Sequence, residues 1–140
     1  PTGCDYTGRV YYICTFVNNQ HRVELGSGWQ QSPFNRALEF IAQKAKSNPL
    51  QQHDVVMLFD DTAAPLKRKW CVFEAWRSTE LNLKLRLFCK DGELVRNSTL
   101  PMAKKLQDQI RDINLEEAKC SDPNDSQVIT NAVEDTQGGF

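Results

Sequence analysis

At 140 residues and 16.0 kDa the chain suits one domain with one sizeable core rather than two independent domains. Lys and Arg number 17 against 18 Asp and Glu, so the net charge is −1 and no basic footprint for nucleic acid or an anionic membrane surface is present. No apolar run approaches the roughly 20 residues that span a bilayer, and the first residues lack the basic and apolar regions of a signal peptide.

Residues 9–17, Arg-Val-Tyr-Tyr-Ile-Cys-Thr-Phe-Val, are rich in β-branched and aromatic side chains and are expected to form a central strand. Asn18, Asn19, Gln20 and His21 follow at once, gathering polar side chains where strand gives way to loop. Ligands of open α/β sheets bind beyond the carboxyl ends of the strands, so these four are candidate ligand-binding residues; ordinary turn chemistry accounts for Asn there equally well. Residues 22–32, with Gly26, Gly28 and Trp29, keep no period and are expected to be an extended, mobile loop, with Trp29 anchoring it on the core or standing at a binding surface. Their Gly-Ser-Gly lacks the Lys-Ser/Thr pair of a phosphate loop. Ser32-Pro33 places a hydroxyl cap before a proline, and Phe34, Leu38, Ile41, Ala42 and Ala45 keep helical spacing, which predicts a helix to about Lys46 with one face on the sheet.

Residues 55–59 are a continuous apolar run of strand length, the pattern of a strand buried on both faces. Asp60, Asp61, Thr62 and Pro65 break it, and from Lys67 the spacing becomes helical. Residues 83–89, with Lys84 and Arg86 alternating among apolar side chains, read as the next strand, nearer an edge, and complete one β-α-β unit. A turn is expected at residues 90–93. Met102, Leu106, Ile110 and Ile113 then mark an amphipathic helix opening near Thr99. Residues 115–120 are a connector or an edge strand. Ser121-Asp122-Pro123 caps a last helix whose inner face carries Val128, Ile129, Ala132 and Val133.

The helix beginning near Lys67 carries the sharpest chemical signal. Trp70, Phe73, Glu74, Arg77 and Leu81 fall on one side and Cys71, Val72, Ala75 and Trp76 cover the rest, so little polar face remains and the helix is expected to be buried. A carboxylate in such surroundings is paired, protonated or in use. Arg77 stands three positions after Glu74, within reach for a local ion pair; a structural pair and a catalytic carboxylate are the two readings.

The five cysteines include no Cys-x-x-Cys pair, and three of them fall in expected strands or helices, which points to a reduced, cytoplasmic or otherwise intracellular setting. The two histidines, His21 and His53, have no second ligand type at metal spacing, so no metal site is expected. The chain opens on Pro1 and ends on Gly138-Gly139-Phe140, and a piece of a longer protein is expected.

The order strand, Asn-Asn-Gln-His, Ser-Pro-Phe helix, strand, Pro-Leu-x-Arg-x-Trp-Cys-x-Phe-Glu helix, strand resembles the TIR-like domain found beside tetratricopeptide, kinesin-light-chain-type or ankyrin repeats in proteins of eukaryotic microbes and algae. The matching residues are Asn18, Asn19, Gln20 and His21, then Pro65, Leu66, Arg68, Trp70, Cys71, Phe73 and Glu74. The resemblance runs from about Val10 onward. It implies a single α/β domain over residues 1–140, three-layered and flavodoxin-like, with a mostly parallel central sheet flanked by helices; the sequence opens one strand late against that pattern, so the first strand is expected to be missing. It also implies kinship with TIR domains that cleave NAD, in which a glutamate in a similar Trp-Cys-x-x-Glu context contacts the ribose next to nicotinamide. Glu74 is the residue that carries over.

The expected function is an intracellular protein-interaction or scaffolding module of a larger protein or assembly, with protein partners and with neither nucleic acid nor membrane. The alternative is an NAD glycohydrolase with Glu74 as catalytic carboxylate, Asn18, Asn19, Gln20, His21 and Trp70 around the pocket, and Arg68, Cys71, Phe73 and Arg77 in structural roles. No cofactor is expected; NAD enters only as the substrate of the alternative. A nucleotide binder without chemistry is a third class.

Overall fold

The computed structural model describes residues 28–95, 101–111, 118–120 and 123–134. The strand expected at residues 9–17 and the polar cluster at residues 18–21 lie outside the described residues. What is described is a mixed α/β arrangement, mostly helical, around a small sheet. Strands β1 (Asp54–Leu58) and β2 (Lys84–Cys89) are parallel, with Asp54 opposite Lys84 and Leu58 opposite Phe88. The short β3 (Gly92–Glu93) returns antiparallel on β2, in the order β1-β2-β3. Gly92 makes that return at φ 124°, backbone that a residue with a Cβ rarely adopts.

Two expectations about these strands change. The sequence places β2 nearer an edge, yet it lies between its two partners. Its alternating charges belong to one face of the pleat: Arg86 donates to Glu93 at 2.7 and 2.5 Å and to Asp54 at 3.4 Å, and its guanidinium stands 4.9 Å from the Phe88 ring centroid. Nor is β1 buried on both faces. Met57 is buried, whereas Val56 and Leu58 on the opposite side of the pleat are 50% and 70% exposed, because the described helices that pack on the sheet do so from one face.

Among the described residues four α-helices accompany the sheet: α1 (Pro33–Ser47), α2 (Lys69–Glu80), α3 (Pro101–Arg111) and α4 (Pro123–Glu134). The α1 start follows the sequence signal, since the Ser32 hydroxyl accepts from the Asn35 amide at 3.1 Å and Pro33 occupies the first turn. The segment before it is not wholly extended: Trp29–Gln31 form a 3-10 turn that sets Trp29 against α2. Helix α2 begins two residues later than the spacing predicts. Ala64–Lys67 form a 3-10 turn after Ala63 at φ 53°, and Arg68 is extended, exchanging backbone hydrogen bonds with the strand-like Lys119 through its neighbours Lys67 and Lys69.

Packing explains why α2 carries so little polar surface. Cys71 and Ala75 on one side join Met57, Phe59, Ala63, Leu85, Leu87 and α3's Leu106. On the other side Phe73, fully buried, meets Phe34, Ile129 and Ala132 with Trp29, Trp70 and Trp76 around them, so α4 lies across α2 from the sheet. Leu38 and Ala42 of α1 close a third cluster over Leu83 and Val55. Among the described residues no helix is long and apolar enough to cross a membrane.

Candidate functional site around Glu74

Helix α2 is fastened at both ends, and that fixes the height and rotation of Glu74. At the N-terminus the Lys69 amide donates to the Lys119 carbonyl at 3.1 Å, taking up one of the orphan donors of a helix start that lacks a side-chain cap. At the C-terminus Asn82 is left-handed at φ 55°; its amide donates to Thr79 O at 3.0 Å, and Leu83 N donates to Ser78 O at 2.8 Å. That paired motif stops the helix and turns the chain into β2. Within the helix the Ser78 hydroxyl donates to the Glu74 carbonyl at 2.6 Å.

The Glu74 side chain is half-buried, and among the described residues no hydrogen bond or ion pair reaches its carboxylate. Burial, which penalises the charged form, pushes its pKa up to about 7, and the charge of Arg68 offsets only part of that. The expected pair with Arg77 does not form. Arg77 is drawn sideways onto α1: its Nε donates to Asn35 Oδ1 at 2.8 Å, its Nη2 donates to Glu39 at 3.2 Å, and its guanidinium stands 5.2 Å from the centroid of the Trp29 ring. A fork of donors satisfied by an amide, a carboxylate and an aromatic face has little left for a carboxylate on its own helix.

The other candidates separate. Trp70 stacks on Phe34 with centroids 4.4 Å apart, meets Phe73 edge-on at 5.5 Å, and donates its indole N–H to Asp125 of α4 at 2.9 Å, so it belongs to the packed side of α2. Phe73 is the centre of that aromatic group, and Cys71 packs on the opposite side toward the sheet. Arg68 is exposed at the helix entrance. Asn18, Asn19, Gln20 and His21 lie outside the described residues. Among the described residues no group of three or more His, Cys, Asp or Glu is placed to hold a metal.

Three buried polar residues on or against α2 were passed over by sequence reasoning. Asn35, fully buried, accepts from Arg77 while its own amide group donates to the Gln30 carbonyl at 2.9 Å. Lys69, only 4% exposed, donates to the hydroxyls of Ser126 at 2.7 Å and Thr130 at 3.2 Å, and Asp125 beside them takes the Trp70 indole. A signal existed for two of them: Asn35 falls within the apolar stripe of α1 near Leu38 and Ala42, and Lys69 stands one turn before Phe73. A polar residue inside such a stripe is one that tertiary partners must satisfy.

Chemically, the arrangement offers a carboxyl group divided between its two forms near neutral pH, able to accept or release a proton and carried on a rigid, doubly anchored helix. In comparisons with known proteins the chain matches no family model, no curated protein and no solved structure.

Proposed function

We propose that the chain is a protein-interaction or scaffolding module of flavodoxin-like, TIR-like design, working inside the cell as part of a larger protein or assembly. The observation that carries this reading is the outer face of the sheet. Val56 and Leu58 stand 50% and 70% exposed beside Phe88, on the rigid floor of a strand pair rather than on a loop. A contiguous apolar patch exposed on a strand pair is a kind of surface that marks protein contacts. Baits carrying wild type and Leu58→Asp, matched for thermal stability, test it in extracts of cells that express the protein. A protein held by the wild type and released by the variant, confirmed by titration of the two purified components, supports the module. Identical retention on both baits, or no binding between purified components, refutes it.

A second reading is favoured by a separate observation, the absence of a hydrogen-bond or ion-pair partner on the Glu74 carboxylate among the described residues. It is NAD glycohydrolysis. An ionised Glu74 beside the ribose would accept hydrogen bonds from its hydroxyls and stabilise the positive charge that develops on the sugar as the bond to nicotinamide breaks. Incubation with NAD separates the readings: nicotinamide released by the wild type and abolished in a folded Glu74→Ala variant supports the enzyme, and no release refutes it.

A further inference from the structure

We infer that Asn35 is a positioning residue for Glu74: by holding Arg77 against α1, it keeps that arginine from closing the ion pair that lies one helical turn away. A Glu followed three residues later by an Arg on one helix is in the favourable register for such a pair, so its absence needs a cause. The cause is on α1. Asn35 is itself fixed, being fully buried, with its backbone amide on the Ser32 hydroxyl and its side-chain amide on the Gln30 carbonyl. Its one remaining acceptor, Oδ1, is aimed at Arg77 Nε at 2.8 Å. Glu39, one turn further along α1 and half-exposed, takes the other end of the guanidinium at 3.2 Å, and the Trp29 ring takes its face. Among the described residues Glu39 pairs with Arg77 and Asp125 accepts from Trp70, while the charge of Arg68 acts on Glu74. The sheet contributes apolar side chains to that contact.

Asn35 thus acts through Arg77 and leaves Glu74 a carboxyl group whose pKa burial raises and the charge of Arg68 lowers in part. Its importance for activity rests on the catalytic reading of Glu74; the geometry does not depend on it.

The test is a carbon-detected NMR titration of the Glu74 side-chain carboxyl in the full chain. The wild type is expected to titrate at about 7. In Asn35→Ala/Glu39→Gln the freed arginine swings to Glu74 and the midpoint falls by about one to three units, the usual effect of an opposite charge at contact distance. Asn35→Asp keeps an acceptor for Arg77, now charged, and loses the donor to Gln30, so its midpoint stays up. Adding Arg77→Met to the double variant restores the high midpoint, a recovery that a merely structural role for Asn35 would not produce. Should the double variant fail to fold, Glu39→Gln alone, at a half-exposed site, gives a smaller fall that Arg77→Met abolishes. A midpoint that does not fall in these variants, or a fall that persists without Arg77, overturns the inference. Nicotinamide release is a separate readout: its absence refutes the catalytic reading while the titration still decides the positioning.

Discussion

The raised pKa of Glu74 makes the stability of the fold depend on pH in a direction opposite to that of most carboxylates. A glutamate with a partner loses its proton more readily when folded; Glu74, half-buried and without one among the described residues, holds it more tightly, moving from 4.5 to about 7. Between those values the folded chain binds more protons than the unfolded chain, so stability falls as pH rises. The contribution is fully present below pH 4.5 and is lost as pH passes through about 7. At 1.36 kcal/mol per unit, the shift corresponds to about 3 kcal/mol, a large share of the stability of a domain this size. Glu74→Gln removes the titration and leaves a neutral group of the same shape. Urea denaturation of the two proteins from about pH 4 to pH 9 should therefore show similar stabilities at the acid end and a variant more stable by about 3 kcal/mol at the alkaline end. Other groups that titrate in this range cancel in the difference. A difference that stays level, or one that favours the wild type at high pH, would refute the account of Glu74 as a desolvated, unpaired carboxyl.

Phe73→Ala empties the fully buried centre of the aromatic group and is expected to cost about 3–5 kcal/mol, with near-ultraviolet dichroism reporting the loss of fixed surroundings for Trp29, Trp70 and Trp76. Lys69→Met keeps the packed stem and removes a buried ammonium held by two hydroxyls, so it should stay within about 1.5 kcal/mol of wild type in chemical denaturation, while Lys69→Ala leaves a cavity and costs about 2–4 kcal/mol. Equal costs would show that the charge, not the stem, holds α4 to α2. Ser32→Ala removes the hydroxyl that accepts from the Asn35 amide and should lower stability by about 1 kcal/mol, read as a shift in the urea midpoint without a change of slope.

Helical spacing and end signals made α1, α2, α3 and α4 readable in the chain, because a face of apolar side chains at the period of the helix is a local property. The β-α-β unit of β1, α2 and β2 was readable for the same reason, and so was the chemical oddity of a carboxylate on a helix with almost no polar face. Local pattern could not say which side of β1 would be covered. Five apolar residues in a row are compatible with a strand buried on both faces and with one that turns Val56 and Leu58 outward; which it is depends on where the helices lie. Nor could spacing decide the partner of Arg77. Along the chain Glu74 is the near choice, but folding brings Asn35 and Glu39 beside the guanidinium from 42 and 38 residues away. Sequence alone determined that an acid would sit on this helix. The packing of α1 against α2 decided that Arg77 would not pair with it, because a guanidinium that is already satisfied gains nothing by moving, and a half-buried carboxyl left without it gives up its proton only near pH 7.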